Sequence, residues 1–535
     1  MVKDINAGPA DSDIYNLAGM GGKLFFNADD GMAGNELWST DTTEPGTSMV
    51  ADINPGPIGS SPYGLVTIDD EVWFSASDGI AGPELWRSDG TAGGTAMVYD
   101  SVHPLSSIPL DCLGGGGSVF CSANTEAEGN ELWFSDGTGA GTRLTRDINP
   151  GPDSSNPYPV AMLGDRVVFS ADDGSGSTGL WVSDGSETGT IKLAEVTPGA
   201  GTEYAVEVAG TVFLLGSHAS LGRGLWRTDG TVQGTEEVTE VEITSNLVAV
   251  GPIIFFAAED GGAGNELWRS DGTAAGTTRV ADIVPGPSDS TPRYLTVVGG
   301  SVFFAAWTPE HGDELWTTDG TEPGTVLVAD VNPGELGSMP FQLTRHGGRV
   351  FFTANDGVHG VEVWSSDGTS VGTTMAADVY PGPESYWPTR LISFDDRLAF
   401  WHTDGVHGWE LWLTDGTPGG TAMAFELVQG PGGSRFPGFD PEAVVDGNRL
   451  YFPARVDGFG SELVVTDGSP QGTLVFDLVP GPNSSDPWLP LLSGRRVFFS
   501  AMDLVNGREL WALELALFSD GFESGGTSAW SRVIP

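Results

Sequence analysis

Apolar residues fall in short runs separated by polar, glycine-rich punctuation, and no stretch keeps a sustained helical period. SVFFAAW (301–307) is apolar on both faces, as a strand buried on both sides should be. YLTVVGG (294–300) runs into it through a glycine-rich turn, which predicts a hairpin. After a loop such as DGVHG (356–360) come a third strand, EVWSSD (362–367), the turn DGTSVGT (367–373), and a fourth strand, TTMAADV (373–379). This four-strand unit recurs along the chain. Its marker is Trp38, Trp86, Trp133, Trp181, Trp226, Trp268, Trp316, Trp364, Trp412 and Trp511, with Val464 in the equivalent place of the tenth unit. Most spacings are 47 or 48 residues, and 45, 42 and 52 occur where loops shrink or grow. Eleven such units, each sandwiched between copies of itself, predict an all-β fold of the β-propeller type.

The chain ends invite closure. The last unit finishes ELWALELAL with no DGTxxGT turn and no fourth strand, whereas the chain opens with an unpaired fourth strand, MVKDI. An N-terminal strand completing the last blade would remove an exposed sheet edge. The expectation is therefore a single closed ring of eleven blades over residues 1–515, followed by a flexible tail, 516–535, of small and polar composition. Two tandem propellers divided near 236–246, where a PGP loop is missing, are the alternative.

The phrase ELWRSDGTAGGT (84–95) returns as ELWRSDGTAAGT (266–277), and ELW, SDGT and GT keep a fixed spacing throughout. Over residues 1 to about 515 the chain resembles the bacterial ELWxxDGT-repeat proteins, also called hyalin-like repeats. The resemblance implies an exported bacterial repeat protein and brings no defined activity with it. Departures from the pattern are Gly179 and Gly224, in place of Glu in units four and five, and Val464 in place of Trp. The DGTxxGT turn is also similar to the Asp-box hairpin of sialidase-like propellers, but it lacks that motif's terminal aromatic residue, so no activity is carried over.

Composition narrows the partners. Seventy-nine glycines and 35 prolines suit many tight turns, and 73 acidic against 23 basic residues give a net charge of −50. Nucleic acid and anionic membrane surfaces are repelled by such a chain, whereas cations and neutral ligands are not. No apolar run approaches 18 residues, so no membrane insertion by a helix is expected. Cys112 and Cys121, nine positions apart around GGGG, would lie on neighbouring strands of a hairpin, as a disulfide or as two buried thiols. No signal peptide is visible, and Met1 lies inside a repeat, since MVKDINAGP aligns with MVADINPGP (49–57). Either a domain starts there or an export segment lies upstream; the expected location, secreted or at a bacterial cell surface, favours the second.

Two recurrences carry candidate chemistry. The Glu of ELW precedes a second carboxylate by 16 residues: Glu36 and Asp52, Glu84 and Asp100, Glu131 and Asp147, Glu266 and Asp282, Glu314 and Asp330, Glu362 and Asp378, and Glu410 and Glu426. A symmetric hairpin, with Thr40 facing Ser48 and Trp38 facing Val50, places Glu36 opposite Asp52. Like charges so placed are destabilising, so backbone amides and hydroxyls, a retained proton, or a bridging hard cation such as Ca²⁺ must satisfy them. The second recurrence is an aromatic residue just before the innermost strand: Tyr15, Tyr63, Tyr158, Tyr204, Tyr294, Phe341, Trp387 and Trp488. These rings either pack under their own loops or form a rim on which sugar rings stack.

Catalytic signatures are missing from the sequence: it holds no GxSxG, no HExxH and no phosphate-binding glycine loop. His311, His359 and His407 occupy comparable loops, where surface polarity is the plainer account than metal binding. The favoured reading is a non-catalytic extracellular binding protein, not an enzyme, presenting a repeated acidic and aromatic rim to glycans, matrix or a protein partner. A propeller-type glycoside hydrolase or lyase and a purely structural spacer are the alternatives. An enzyme should carry unique polar residues in one irregular blade, whereas a multivalent binder repeats its site.

Overall fold

The computed structural model describes residues 1–80, 82–98, 110–115, 118–125, 127–138, 140–199, 204–218, 222–384, 386–434, 443–493 and 496–514. The flexible tail expected at 516–535 and the candidate ligand Asp100 lie outside the described residues. The fold is all-β. Eleven antiparallel sheets appear among the described residues, and helix there amounts to isolated 3-10 turns such as Pro418–Gly420. Blade one shows the plan: an inner strand Tyr15–Met20, then Lys23–Asp29, Asn35–Thr40 and a short outer strand Ser48–Ala51, hydrogen-bonded in that order. The fold is thus the expected eleven-bladed β-propeller.

Packing divides the chain into two compact units. Of the described residues, the first comprises those within 1–218, 227–236 and 485–514, and the second those within 222–226 and 237–484. In the first unit Phe25, Leu37 and Val50 of blade one pack on Val72, Phe74 and Trp86 of blade two. In the second, Phe303, Leu315 and Val328 pack in the same way on Val350, Phe352 and Trp364. Each marker indole so placed buries apolar area against the preceding blade, contributing roughly 2–3 kcal/mol per large side chain.

Closure is carried within the first unit. Val2 N donates to Leu510 O at 2.9 Å, the counterpart of Val98 N to Leu85 O at 2.8 Å in blade two. Ile5 N donates to Glu509 Oε2 at 3.1 Å, and Ser12 Oγ donates to Glu509 Oε1. Val2, Ile5 and Ile14 complete an apolar cluster with Phe498 and Leu510. The last blade therefore closes on residues some five hundred positions earlier.

The repeated turn is scaffold. Asp271 Oδ1 accepts from Thr273 N and Oγ1, Gly276 N donates to Thr273 Oγ1, and Gly272 holds a φ of +86°. Cys112 and Cys121 form a disulfide with a Cα separation of 4.3 Å, joining neighbouring strands of blade three.

Candidate functional site

The hairpin between third and fourth strands is not symmetric, and this corrects the expected pairing. Ser39 pairs with Ser48, Trp38 with Met49 and Leu37 with Ala51, leaving a bulge at Val50. A bulge adds one residue to one strand and re-aims the side chains beyond it. Asp52 turns out to solvent while Glu36 stays fully buried, so the two carboxylates do not face each other. Asp282, Asp330 and Asp378 are likewise exposed and Asp147 is half-buried, while Glu84, Glu131, Glu266, Glu314 and Glu362 are buried.

What satisfies the buried glutamates is the loop that leads to the next blade. Glu36 accepts from Ile53 N, Asn54 N and Ser60 Oγ at 3.1, 3.0 and 2.5 Å. Glu314 accepts from Asn332 N at 2.8 Å, Ser338 N at 3.1 Å and Ser338 Oγ at 2.5 Å. Glu131 and Glu266 repeat the set with Ser155 and Ser290. Burial pushes Glu131, Glu266, Glu314, Glu410 and Glu509 up to about 7, against hydrogen bonds that pull them down. Burial also raises Glu36. These oxygens face N–H and O–H hydrogens, and a cation there would meet partial positive charge, so the carboxylates do not fit Ca²⁺. Among the described residues no group of three or more His, Cys, Asp or Glu side chains is gathered as a metal site.

The anchored loop delivers the aromatic residues. Ser60 stands three positions before Tyr63 and Ser338 three before Phe341, so the acidic and aromatic recurrences belong to one device. Parallel bridges Asn35 to Gly59 and Asp313 to Gly337 tie this loop to the one between second and third strands, placing both at one end of the blade. Tyr15, Tyr63, Tyr158, Phe341 and Trp488 each begin an inner strand and are exposed. Tyr204 precedes its strand and is half-buried.

Two rings depart from that register. Phe341 pairs with Thr353, but Arg293 and Thr389 hold the same position in the neighbouring blades, pairing with Ala305 and Trp401. Tyr294 therefore sits one residue late, at a φ of +59°, and Trp387 two residues early, level with Met339. A bulky residue in the left-handed region costs about 1–2 kcal/mol. The displacement brings the rings together: Tyr294 and Phe341 lie 5.1 Å apart at 85°, and Phe341 and Trp387 6.0 Å apart at 89°. Met339, Pro340 and an Arg293–Asp313 ion pair of 2.8 Å complete a cleft of about 340 Å³. Sequence periodicity aligned these three rings with the others and missed the cleft; the signal available was Arg293, which stands where other blades carry Tyr63, Tyr158 or Phe341.

Blades eight and nine hold a second irregularity. Ala28, Ala306 and Ala354 lie opposite the buried glutamates in other blades, but His402 occupies that position in blade nine. Its Nε2 lies 3.3 Å from Glu362 Oε2, with both side chains buried. Tyr386 holds the position where Ser338 serves Glu314, and Glu362 Oε1 accepts from Tyr380 N at 2.9 Å. The three loop histidines do not converge. His311, His359 and His407 contact Asp330, Asp356 and Asp404 respectively, and the last two imidazoles are raised by their carboxylate hydrogen bonds.

No protein-family profile matches the chain, and no curated protein does. Among solved structures it is similar to a puromycin hydrolase, 14% identical over 65% of this chain and 61% of that one, with a TM-score of 0.26. A puromycin-hydrolysing peptidase of Mycobacterium tuberculosis is 10% identical over 66% and 59%, with a TM-score of 0.27. The GH74 enzyme of Niastella koreensis is 12% identical over 93% and 83%, with a TM-score of 0.25. The chain spans about three-fifths of the puromycin hydrolases it matches. At these identities and scores the likeness carries no argument about activity.

Proposed function

We propose that the protein is a non-catalytic binding protein that holds glycans at the aromatic cleft of blades seven to nine. The observation that carries this reading is the gathering of three exposed rings from successive blades beside a paired carboxylate and guanidinium. Sugars bind where apolar ring faces meet a few placed polar groups. Asp313 is committed to Arg293, and the cleft offers no nucleophile beside a base, which favours binding over hydrolysis. Tyr15, Tyr63, Tyr158 and Trp488, each on its own blade of the first unit, give further weak contacts to glycan or matrix, and repetition adds avidity. The disulfide and the ELWxxDGT resemblance support a secreted or cell-surface location in a bacterium. A net charge of −50 directs the choice away from polyanions.

A glycan array probed with the intact chain and with Phe341→Ala and Trp387→Ala tests the reading. Binding that both variants lose supports it. An array with no hits favours a structural spacer instead.

A further inference from the structure

The glycan reading can be narrowed, in a proposal that rests on it. We propose that the cleft is an end-on notch for one terminal, uncharged pyranose, not a strip along which a polysaccharide chain lies. Ring geometry is the first reason. A chain of pyranoses needs ring faces in one plane, whereas Tyr294, Phe341 and Trp387 meet at 85° and 89° and so form the walls of a recess. Size is the second. A volume of about 340 Å³ stands at the lower end of ligand pockets, which begin near roughly 300 Å³.

The polar edge supplies the third reason. Asp313 Oδ2 is paired with Arg293, while Oδ1 is buried and has no hydrogen-bond partner among the described residues. A carboxylate oxygen beside a guanidinium sets an acceptor next to donors, and adjacent sugar hydroxyls, which both donate and accept, match that pair. Because Arg293 already compensates Asp313, the notch does not call for a cationic ligand, and the acidic chain disfavours uronic acids.

The notch is also singular. Among the described strand pairings no other blade carries an acid at the register of Asp313, the residues there including Asn35, Pro83, Thr178, Val361, Trp409 and Arg508, and at the register of Arg293 others carry residues such as Tyr63 or Phe341. Glu314 fixes its floor through Ser338, beside the left-handed Met339 at a φ of +54°. One blade therefore holds a unique recognition site within an otherwise repeated rim.

The test uses the full chain, with calorimetry and saturation-transfer NMR. The probes are methyl glycosides of glucose, galactose, mannose and N-acetylglucosamine, their linear tetrasaccharides, and methyl glucuronide. One neutral methyl glycoside should bind, its tetrasaccharide should bind less than about tenfold tighter, and the glucuronide should not bind. Asp313→Asn should weaken binding by about tenfold through loss of a charge-assisted hydrogen bond, and Val371→Ala, at an exposed outer turn, should leave it unchanged. A tetrasaccharide bound far more than tenfold tighter than the monosaccharide overturns the notch while leaving glycan binding intact. Glycan binding that survives both Asp313→Asn and Trp387→Ala removes the cleft as the site and overturns both readings.

Discussion

Replacing Glu314 by Gln isolates the proton held in one of the buried loop anchors. The glutamate is fully buried, and burial pushes it from 4.5 to about 7. The folded chain therefore holds this proton more tightly than the unfolded chain does. The associated stability is fully present below pH 4.5, falls as pH rises through 7, and is gone above it. A difference of about 2.5 in pKa, at about 1.36 kcal/mol for each unit, makes the loss about 3 kcal/mol. Gln keeps an acceptor for Asn332 N and Ser338 N, and its NH₂ meets Ser338 Oγ, which can turn to accept. That exchange costs about 1 kcal/mol at any pH. The variant should be less stable than the parent by about 1 kcal/mol at pH 4.5 and more stable by about 2 kcal/mol at pH 8. Thermal melts read this as a crossover, at roughly 1 °C per kcal/mol if all 535 residues melt together and about twice that if the second unit melts alone. A difference in Tm that is the same at pH 5 and pH 8 would refute the reasoning.

Three further perturbations probe the frame. Val2→Asp puts a charge into the cluster that closes the last blade and should cost several kcal/mol, about 3 or more, with early proteolytic cutting near the N-terminus; unchanged digestion kinetics would count against closure. Reducing the Cys112–Cys121 bridge opens a loop with a sequence separation of 9 and should lower stability by about 2–3 kcal/mol, measured as a Tm shift on adding reductant. His402→Ala restores the residue other blades carry but strands Glu362, and should cost about 3 kcal/mol; adding Glu362→Gln should recover part of it, and a single variant as stable as the parent would sink the pairing.

The four-strand unit, its eleven occurrences and the closing role of MVKDI were legible in the sequence. Strand alternation and turn chemistry are local, and a missing fourth strand at one end matches a spare one at the other. The tertiary structure decided how each unit is wired. A bulge at Val50 leaves no mark in composition, yet it moves Asp52 to solvent and hands Glu36 to backbone amides, donors that every residue owns and no motif announces. Displacements of one and two residues at Tyr294 and Trp387 likewise escape a search for equal spacing, because repetition averages away the position that differs. The sequence determined which residues reach the rim, through periods fixed by backbone geometry. Which of them meet was settled by register, through the one- and two-residue displacements of Tyr294 and Trp387 and the contacts between successive blades that those displacements allow.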